Sequence, residues 1–289
     1  MATHAATFVS TFHHYPYHSI SETNPSLTCE GKIVFITGGG RGIGRAIAKS
    51  FAVAGAKGTF LVGRTKSDLQ TAAEDITKLA ETSNKTTTVL YSECDITDAH
   101  AVASAFKKAI SSFGHIDILI QNAGYLDDHR SVVDSDLKDY WKTFEINVKG
   151  GLSVIQEFLK TSPPAGSTII NVGSGAGHLP YIPGYSAYSS SKLALAKIVE
   201  YVHHENPHLR VFNINPGAIV TEMQAKAGDI AAPDDIGLAG SFSVWLAASK
   251  DADAFRGRFL WSNWDVDELK EKQNEVVSQN LLIHGLIGL

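Results

Sequence analysis

The chain has 289 residues, 44% of them apolar and 19% charged, with a net charge of −5. That length can bury a substantial core as one large domain or two small ones, and the composition excludes a disordered chain. The acidic balance and the lack of any Lys/Arg block exclude nucleic acid or an anionic membrane as main partner, and no run reaches the ~18 apolar residues of a membrane span.

Residues 1–30 contain no Lys or Arg, are rich in Ser, Thr and His, and carry Phe8, Phe12, Tyr15 and Tyr17. A secretory signal needs a basic start and an apolar run, and neither is there. The expectation is an N-terminal arm, ordered or frayed, lying on the surface of the domain formed by residues 31–289. His13, His14 and His18 are not interleaved with acidic or cysteine residues in a metal-ligand spacing, so no metal site is expected. Cys29 and Cys94 are the only cysteines. Two so far apart make no disulfide framework, which points to a reducing, cytoplasmic compartment.

From residue 32 apolar strand-like runs alternate with amphipathic helical patterns. Strands are predicted at 32–37, 59–63, 87–91, 116–121, 167–173, 209–214 and 257–261, and helices at 42–55, 66–82, 98–112, 135–160, 185–205, 234–249 and 266–279. Such alternation predicts right-handed crossovers and a parallel sheet with helices on both faces. No repeat, low-complexity tract or linker divides the chain, and Pro163 with Pro164 reads as a helix exit. The predicted fold is a single doubly wound α/β domain, whose ligands sit outside the carboxyl ends of the strands.

The glycine cluster at 37–44, Thr-Gly-Gly-Gly-Arg-Gly-Ile-Gly, falls there, between the first strand and the first helix. Glycines permit a tight turn and let a pyrophosphate approach a helix N-terminus, whose free N–H groups and dipole favour anions. The spacing is G-x3-G-x-G through Gly38, Gly42 and Gly44. Further on, Tyr188 and Lys192 stand four apart on a predicted helix, so both heads can share one site. A free phenol has a pKa near ~10, and a nearby cation favours its phenolate. The expectation is that Lys192 draws the Tyr188 pKa downward and makes it an acid/base group.

Taken in order, these motifs resemble the short-chain dehydrogenase/reductase family over about residues 32–260. The glycine loop resembles T-G-x3-G-x-G, and Asp95 stands like the acid that contacts adenine. Gln121-Asn122-Ala123-Gly124 resembles N-N-A-G with Gln in first place. Asn147 matches the helix asparagine, Ser174 the strand-end serine, Tyr188 and Lys192 the Y-x3-K pair, and Pro216-Gly217 with Thr221 the P-G-x3-T loop. The tail from Trp261 to Leu269 is similar to fungal members. The resemblance implies a Rossmann-type parallel sheet of about seven strands.

It also implies a catalytic set of Ser174, Tyr188, Lys192 and Asn147. Ser174 would donate to the substrate carbonyl, Tyr188 exchange the proton, Lys192 support the phenolate and contact the ribose, and Asn147 position a relay water. The implied cofactor residues are Gly38, Arg41, Gly42, Ile43, Gly44, Gly63, Arg64, Asp95, Ile96, Asn122, Ala123, Gly124, Tyr188, Lys192, Pro216, Gly217, Ile219 and Thr221. NAD enzymes place an acid at the end of the second strand, while NADP enzymes place a cation near the 2′-phosphate. Gly63 occupies the acid's place, followed by Arg64, with Arg41 in the glycine loop. Arginine's planar fork suits phosphate, so NADP(H) is the expected cofactor.

Ser174 and Tyr188 are 14 apart, slightly longer than is common in the family, an insertion a loop absorbs cheaply. Tyr185 has no Lys four residues on and reads as a pocket residue. A small lid is expected near 221–235, its Ala/Gly-rich part beginning at Glu222. Met223, His178, Leu179, Tyr181, Tyr185, Tyr125 and Leu126 are the candidate walls of an apolar, partly aromatic pocket, fit for a lipidic, polyketide-like or cyclic ketone. Trp261 and Trp264 are expected to pack rather than close that pocket. Three functions stay open: an NADPH-dependent ketone reductase or the reverse alcohol dehydrogenase; an NADP-binding isomerase, cyclase or dehydratase; and a silent NADP-binding regulator. A homodimer or homotetramer is expected from the resemblance.

Overall fold

A computed structural model of the chain describes residues 8–223 and 231–286. All seven predicted strands form: β1 (Ile33–Thr37), β2 (Gly58–Gly63), β3 (Thr88–Glu93), β4 (Ile118–Gln121), β5 (Thr168–Val172), β6 (Arg210–Asn215) and β7 (Phe259–Trp261). They make one parallel sheet in the order β3-β2-β1-β4-β5-β6-β7. Continuous apolar runs such as Ile33-Val34-Phe35-Ile36 are what a strand covered on both faces requires. β3, at the edge of the sheet, is the exception and is mostly part-exposed.

The strands feed two cores by alternation. Val34, Ile36, Ile170, Phe212 and Ile214 face one side with Ile47, Phe51, Leu69, Ile76, Phe242 and Trp245. Ile33, Phe35, Ile169 and Val211 face the other with Val102, Phe106, Val154, Phe158, Leu195 and Val199. The first side is covered by α1 (Gly42–Val53), α2 (Lys66–Thr82) and α7 (Ile236–Ala248), and the second by α3 (Ala99–Phe113), α5 (Gly151–Lys160) and α6 (Ser186–Glu205). Each such large side chain contributes about 1.5–3 kcal/mol on burial.

The helix predicted over 135–160 is broken into α4 (Leu137–Phe144), a π-helical turn (Glu145–Gly150) and α5. The wider π turn rotates the register by one residue and carries the buried Asn147. The helix predicted over 266–279 is likewise two short pieces, α8 (Val266–Glu271), N-capped by Asp265, and α9 (Gln273–Ser278). Carboxylate caps also start α3 at Asp98 and α7 at Asp235.

Residues 8–30 pack in with the domain. Val9, Ile20, Leu27 and Cys29 join the core on the α7 side, and Phe12 bridges Trp264 as a single antiparallel pair. Glu22 accepts hydrogen bonds from Ser241 and Ser50. His13 and His14 go to separate carboxylates, Asp265 and Asp234. Trp261 and Trp264 are buried and stack on each other, as expected of packing residues. Among the described residues no helix is long and apolar enough to cross a membrane.

Candidate functional site

The strand order reverses direction between β1 and β4, so the loops leaving their carboxyl ends diverge and open a crevice. A cavity of about 410 Å3 occupies it. One end is made by the glycine loop. Gly38 and Gly42 have φ of +66° and +53°, which side-chain-bearing residues rarely adopt. Gly44 packs so closely that an added Cβ would lie 2.3 Å from the Gly38 carbonyl oxygen. Arg41 stands at the N-cap of α1 without capping it by its side chain, so the first-turn N–H groups stay available to an anion. Gly44→Ala is therefore expected to shift the start of α1, lowering stability by about 1–3 kcal/mol and weakening dinucleotide binding; thermal melts and nucleotide titration check this.

The floor is tied together by Thr37. Its hydroxyl accepts from the Asn122 and Ala123 backbone N–H groups at 2.9 and 3.0 Å and donates to Gln121 Oε1 at 3.0 Å. Asn122 Nδ2 donates to the Thr37 carbonyl at 3.0 Å. The Gln121 amide thus serves the loop.

At the adenosine-facing end implied by the motifs, Gly63, Arg64, Asp95 and Ile96 line the cavity. Arg64 is exposed and has no ion pair among the described residues. Arg41 differs: it pairs with Glu222 across the cavity mouth, so this cation is already engaged when an anion arrives. Asp95 accepts from the Thr97 backbone N–H at 2.9 Å and hydroxyl at 2.8 Å, which fixes its turn.

The chemical end gathers residues from three elements. Tyr188 and Lys192 come from α6 and Ser174 from the end of β5, with Asn147 behind them in the π turn. Tyr188 is half-buried, lining the cavity, and protein surrounds it closely enough that burial pushes its pKa up to about 12; a hydrogen bond with Ser174 opposes the rise. Ser174 Oγ accepts from the Ala176 N–H at 3.2 Å, leaving its own proton to donate. Lys192 is buried, its pKa pushed down to about 8, and Nζ donates to the Val172 carbonyl at 3.0 Å. Nζ lies 5.7 Å from the Tyr188 ring centroid. The expected lowering of the Tyr188 pKa by Lys192 is thus reversed in the protein alone. Helical spacing brings the pair together, but burial penalises the charged form of each.

Asn147 Oδ1 accepts from the Tyr125 N–H at 2.7 Å, and Nδ2 donates to the Tyr125 carbonyl and Ser191 Oγ, each at 2.9 Å. Both amide protons are used, leaving one oxygen lone pair. That oxygen and Lys192 Nζ flank Gly124: a Cβ there would lie 3.3 and 3.4 Å from them.

The cavity is lined by Gly38, Arg41, Gly42, Ile43, Asn122, Ala123, Gly124, Pro216 and Thr221 of the sequence-derived set as well. Gly44 sits behind the loop on Gly38, and Gly217 and Ile219 turn to Asp234. Met223, Tyr125 and Leu126 are in the wall. His178 and Leu179 are not: His178 Nε2 accepts from Trp261 Nε1 at 3.1 Å and Leu179 packs into the core. Burial pushes the His178 pKa down to about 4. Tyr181 is 86% exposed and Tyr185 stacks on His129. Sequence spacing cannot tell which way a loop turns. The lid expected near 221–235 lies partly outside the described residues, at 224–230.

Thr65, Asp68, Cys94, Ile146 and Glu222 also line the cavity and carry no motif of their own. Thr65 and Asp68 were the findable ones, since they open the helix directly after Arg64.

The family model for short chain dehydrogenase matches residues 32–231. Short chain dehydrogenase mpl6 of Monascus purpureus and citE of Monascus ruber are each 33% identical over 286 residues, spanning 96% of this chain and 95% of the relative. Among solved structures, levodione reductase superposes with a TM-score of 0.72 at 23% identity, over 80% of this chain and 96% of its own. A Burkholderia cenocepacia short chain dehydrogenase in complex with NADP gives 0.69 at 24% identity, over 81% and 96%. These two share the fold. With the family model covering most of the domain, the chain belongs to the short-chain dehydrogenase family of nicotinamide-dependent oxidoreductases.

Proposed function

We propose that the protein is an NADP(H)-dependent reductase, or the reverse dehydrogenase, acting on a carbonyl or secondary alcohol of an apolar or cyclic, polyketide-like small molecule. The observation that carries this is that Tyr188, hydrogen-bonded to Ser174, and Lys192 line the same cavity as the glycine loop. That an NADP complex is known for a protein of the same fold supports the cofactor half of this reading.

A bound dinucleotide supplies or accepts the hydride. The chain's own residues do the rest. Ser174 donates to the carbonyl oxygen, where negative charge develops as the hydride arrives. Tyr188 gives that oxygen its proton in reduction and takes it back in oxidation. With its pKa raised by burial, the phenol is protonated at neutral pH and so carries the proton that reduction needs. Lys192, beside Gly124, would hold the ribose of the dinucleotide and supply positive charge behind Tyr188. Asn147 holds the Tyr125 backbone, and its Oδ1 flanks Gly124 together with Lys192 Nζ.

Gly38, Gly42, Ile43 and the α1 N-terminus would hold the pyrophosphate, and Asp95 and Ile96 the adenine. The preference for NADP rests on Arg64, free of ion pairs among the described residues and directly after Gly63, which stands where NAD enzymes carry an acid. Arg64→Ala is expected to weaken NADPH by about 10–100-fold and NADH little, since a hydrogen bond to a charged group contributes about 1.5–3 kcal/mol. Titration with both nucleotides checks it; equal losses refute the phosphate role. Activity is tested by following NADPH absorbance with aryl ketones, quinones and polyketide-like carbonyls. No turnover despite tight NADPH binding would favour a non-redox function.

The apolar groove between α5 and α6, with Leu152, Leu159, Ile198 and Tyr201, supports a homo-oligomer, dimer or tetramer. Cys29 and Cys94, both buried and unpaired, suit a cytoplasmic setting.

A further inference from the structure

The family model begins at residue 32, so the N-terminal arm precedes the matched segment. The arm nevertheless reaches the loop at 216–221. His14 Nδ1 lies 2.5 Å from Asp234 Oδ1, and an ionised carboxylate can only accept, so the imidazole donates. The other oxygen, Asp234 Oδ2, accepts from the Ala218 backbone N–H at 2.6 Å. Asp234 N donates to the Ala218 carbonyl at 3.1 Å, and Asp235 N donates to the His14 carbonyl at 2.7 Å. Ile219 and Asp234 pair as a parallel bridge. Gly217 has φ of +103°, and a Cβ there would strike Asp234 Oδ2 at 2.6 Å. A single buried carboxylate therefore joins the arm to a loop that has little structure of its own.

The arm is itself held in place on its far side. His13 Nε2 lies 2.8 Å from Asp265, His13 N donates to the Asn263 carbonyl, and Asn263 Nδ2 donates to the His13 carbonyl. Tyr17 donates to the Trp264 carbonyl and accepts from the Val266 N–H. His14 is thus presented from a fixed base, and its side chain is 45% exposed while that of Asp234 is 5% exposed. Removing the imidazole strips a buried carboxylate oxygen of its partner, and buried acceptors left unpaired reorganise their surroundings.

We propose that the arm is a clasp, in which His14, acting through Asp234, positions the 216–221 loop, whose Pro216 and Thr221 line the cavity with Tyr188 and Lys192, and with it the nicotinamide end of a bound dinucleotide, the end that must meet Tyr188. His14 and Asp234 are positioning residues; neither lines the cavity. The second half rests on the cofactor reading above, and the first half does not.

The test uses the full chain, as His14→Ala and as His14→Asn, whose amide can donate in place of Nδ1–H. Amide hydrogen exchange in the ligand-free protein reads the clasp directly. His14→Ala is expected to speed exchange at 216–221 by about tenfold or more, with β5 and β6 unchanged, and His14→Asn to restore most of the protection. Unchanged exchange at 216–221 overturns the clasp. Affinity reads the consequence: NADPH should weaken by about tenfold in His14→Ala, while 2′-phospho-ADP-ribose, which lacks the nicotinamide, binds as before. Equal losses for both nucleotides, or none, overturn the positioning role. If the unaltered protein binds neither nucleotide, the cofactor reading falls, and the exchange measurement still decides the clasp.

Discussion

Replacing Tyr188 by phenylalanine is expected to lower kcat by about 10²–10⁴-fold, the usual contribution of a positioned acid/base group, with NADPH affinity nearly unchanged. The change deletes one oxygen from a residue that lines the cavity and bonds to Ser174. The ring stays, so its packing against Tyr185 stays too. Loss of a proton donor acts on the transition state, where the carbonyl oxygen becomes basic, and so appears in kcat rather than in cofactor binding. Steady-state kinetics beside an NADPH titration separates the two. Full turnover by Tyr188→Phe would remove Tyr188 from the mechanism and leave Ser174 as the next candidate donor.

Lys192→Met is expected to abolish most activity and, in the ligand-free protein, to raise stability at pH 7 by about 2 kcal/mol. Burial lowers the Lys192 pKa from 10.5 to about 8. Between those values the unfolded chain binds more protons than the folded one, so the stability of the unaltered protein rises with pH across that window. Below pH 8 the cost of the buried ammonium is fully present, and it disappears as pH approaches 10.5. Methionine has similar bulk and carries no charge, though it forfeits the bond to the Val172 carbonyl, which trims the gain by about 1 kcal/mol. Tyr188 acts the other way at higher pH. Its folded pKa of about 12 lies above its ordinary value of 10.0, so its contribution is lost as pH rises from 10 to 12. Urea denaturation at pH 7 and pH 10 tests the sign: the advantage of Lys192→Met should shrink at the higher pH. An advantage equal at both would mean that Lys192 is not held against its charge.

Much of the site was legible in the chain because local rules carry it. The Gly38, Gly42, Gly44 spacing could only serve a tight loop, and the loop forms between β1 and α1 as the run of Ile and Val before it predicts. Tyr188 and Lys192 share a helix face because four residues make about one turn. Asn147 was placed in a helix, but the π turn around it was not foreseen, since the wider turn depends on the packing of Asn147 against Tyr125 and Ser191. His178 turns away from the expected substrate wall for the same reason: nothing near it in sequence reveals that Trp261 and His284 wait on its other side.

The sequence by itself determined the seven strands, the glycine loop, the family and the order in which the chemical residues arrive, because hydrophobic period, glycine spacing and helical repeat are properties of neighbours along the chain. Tertiary structure alone decided the direction of the Tyr188 and Lys192 pKa shifts, the engagement of Arg41 by Glu222 and the link from His14 through Asp234 to the loop at 216–221. Each of these depends on what surrounds a charge in three dimensions. The partners stand 181 and 220 positions apart in the two ionic contacts, and the burial that moves the pKa values is the sum of contacts from elements that only the folded sheet brings together.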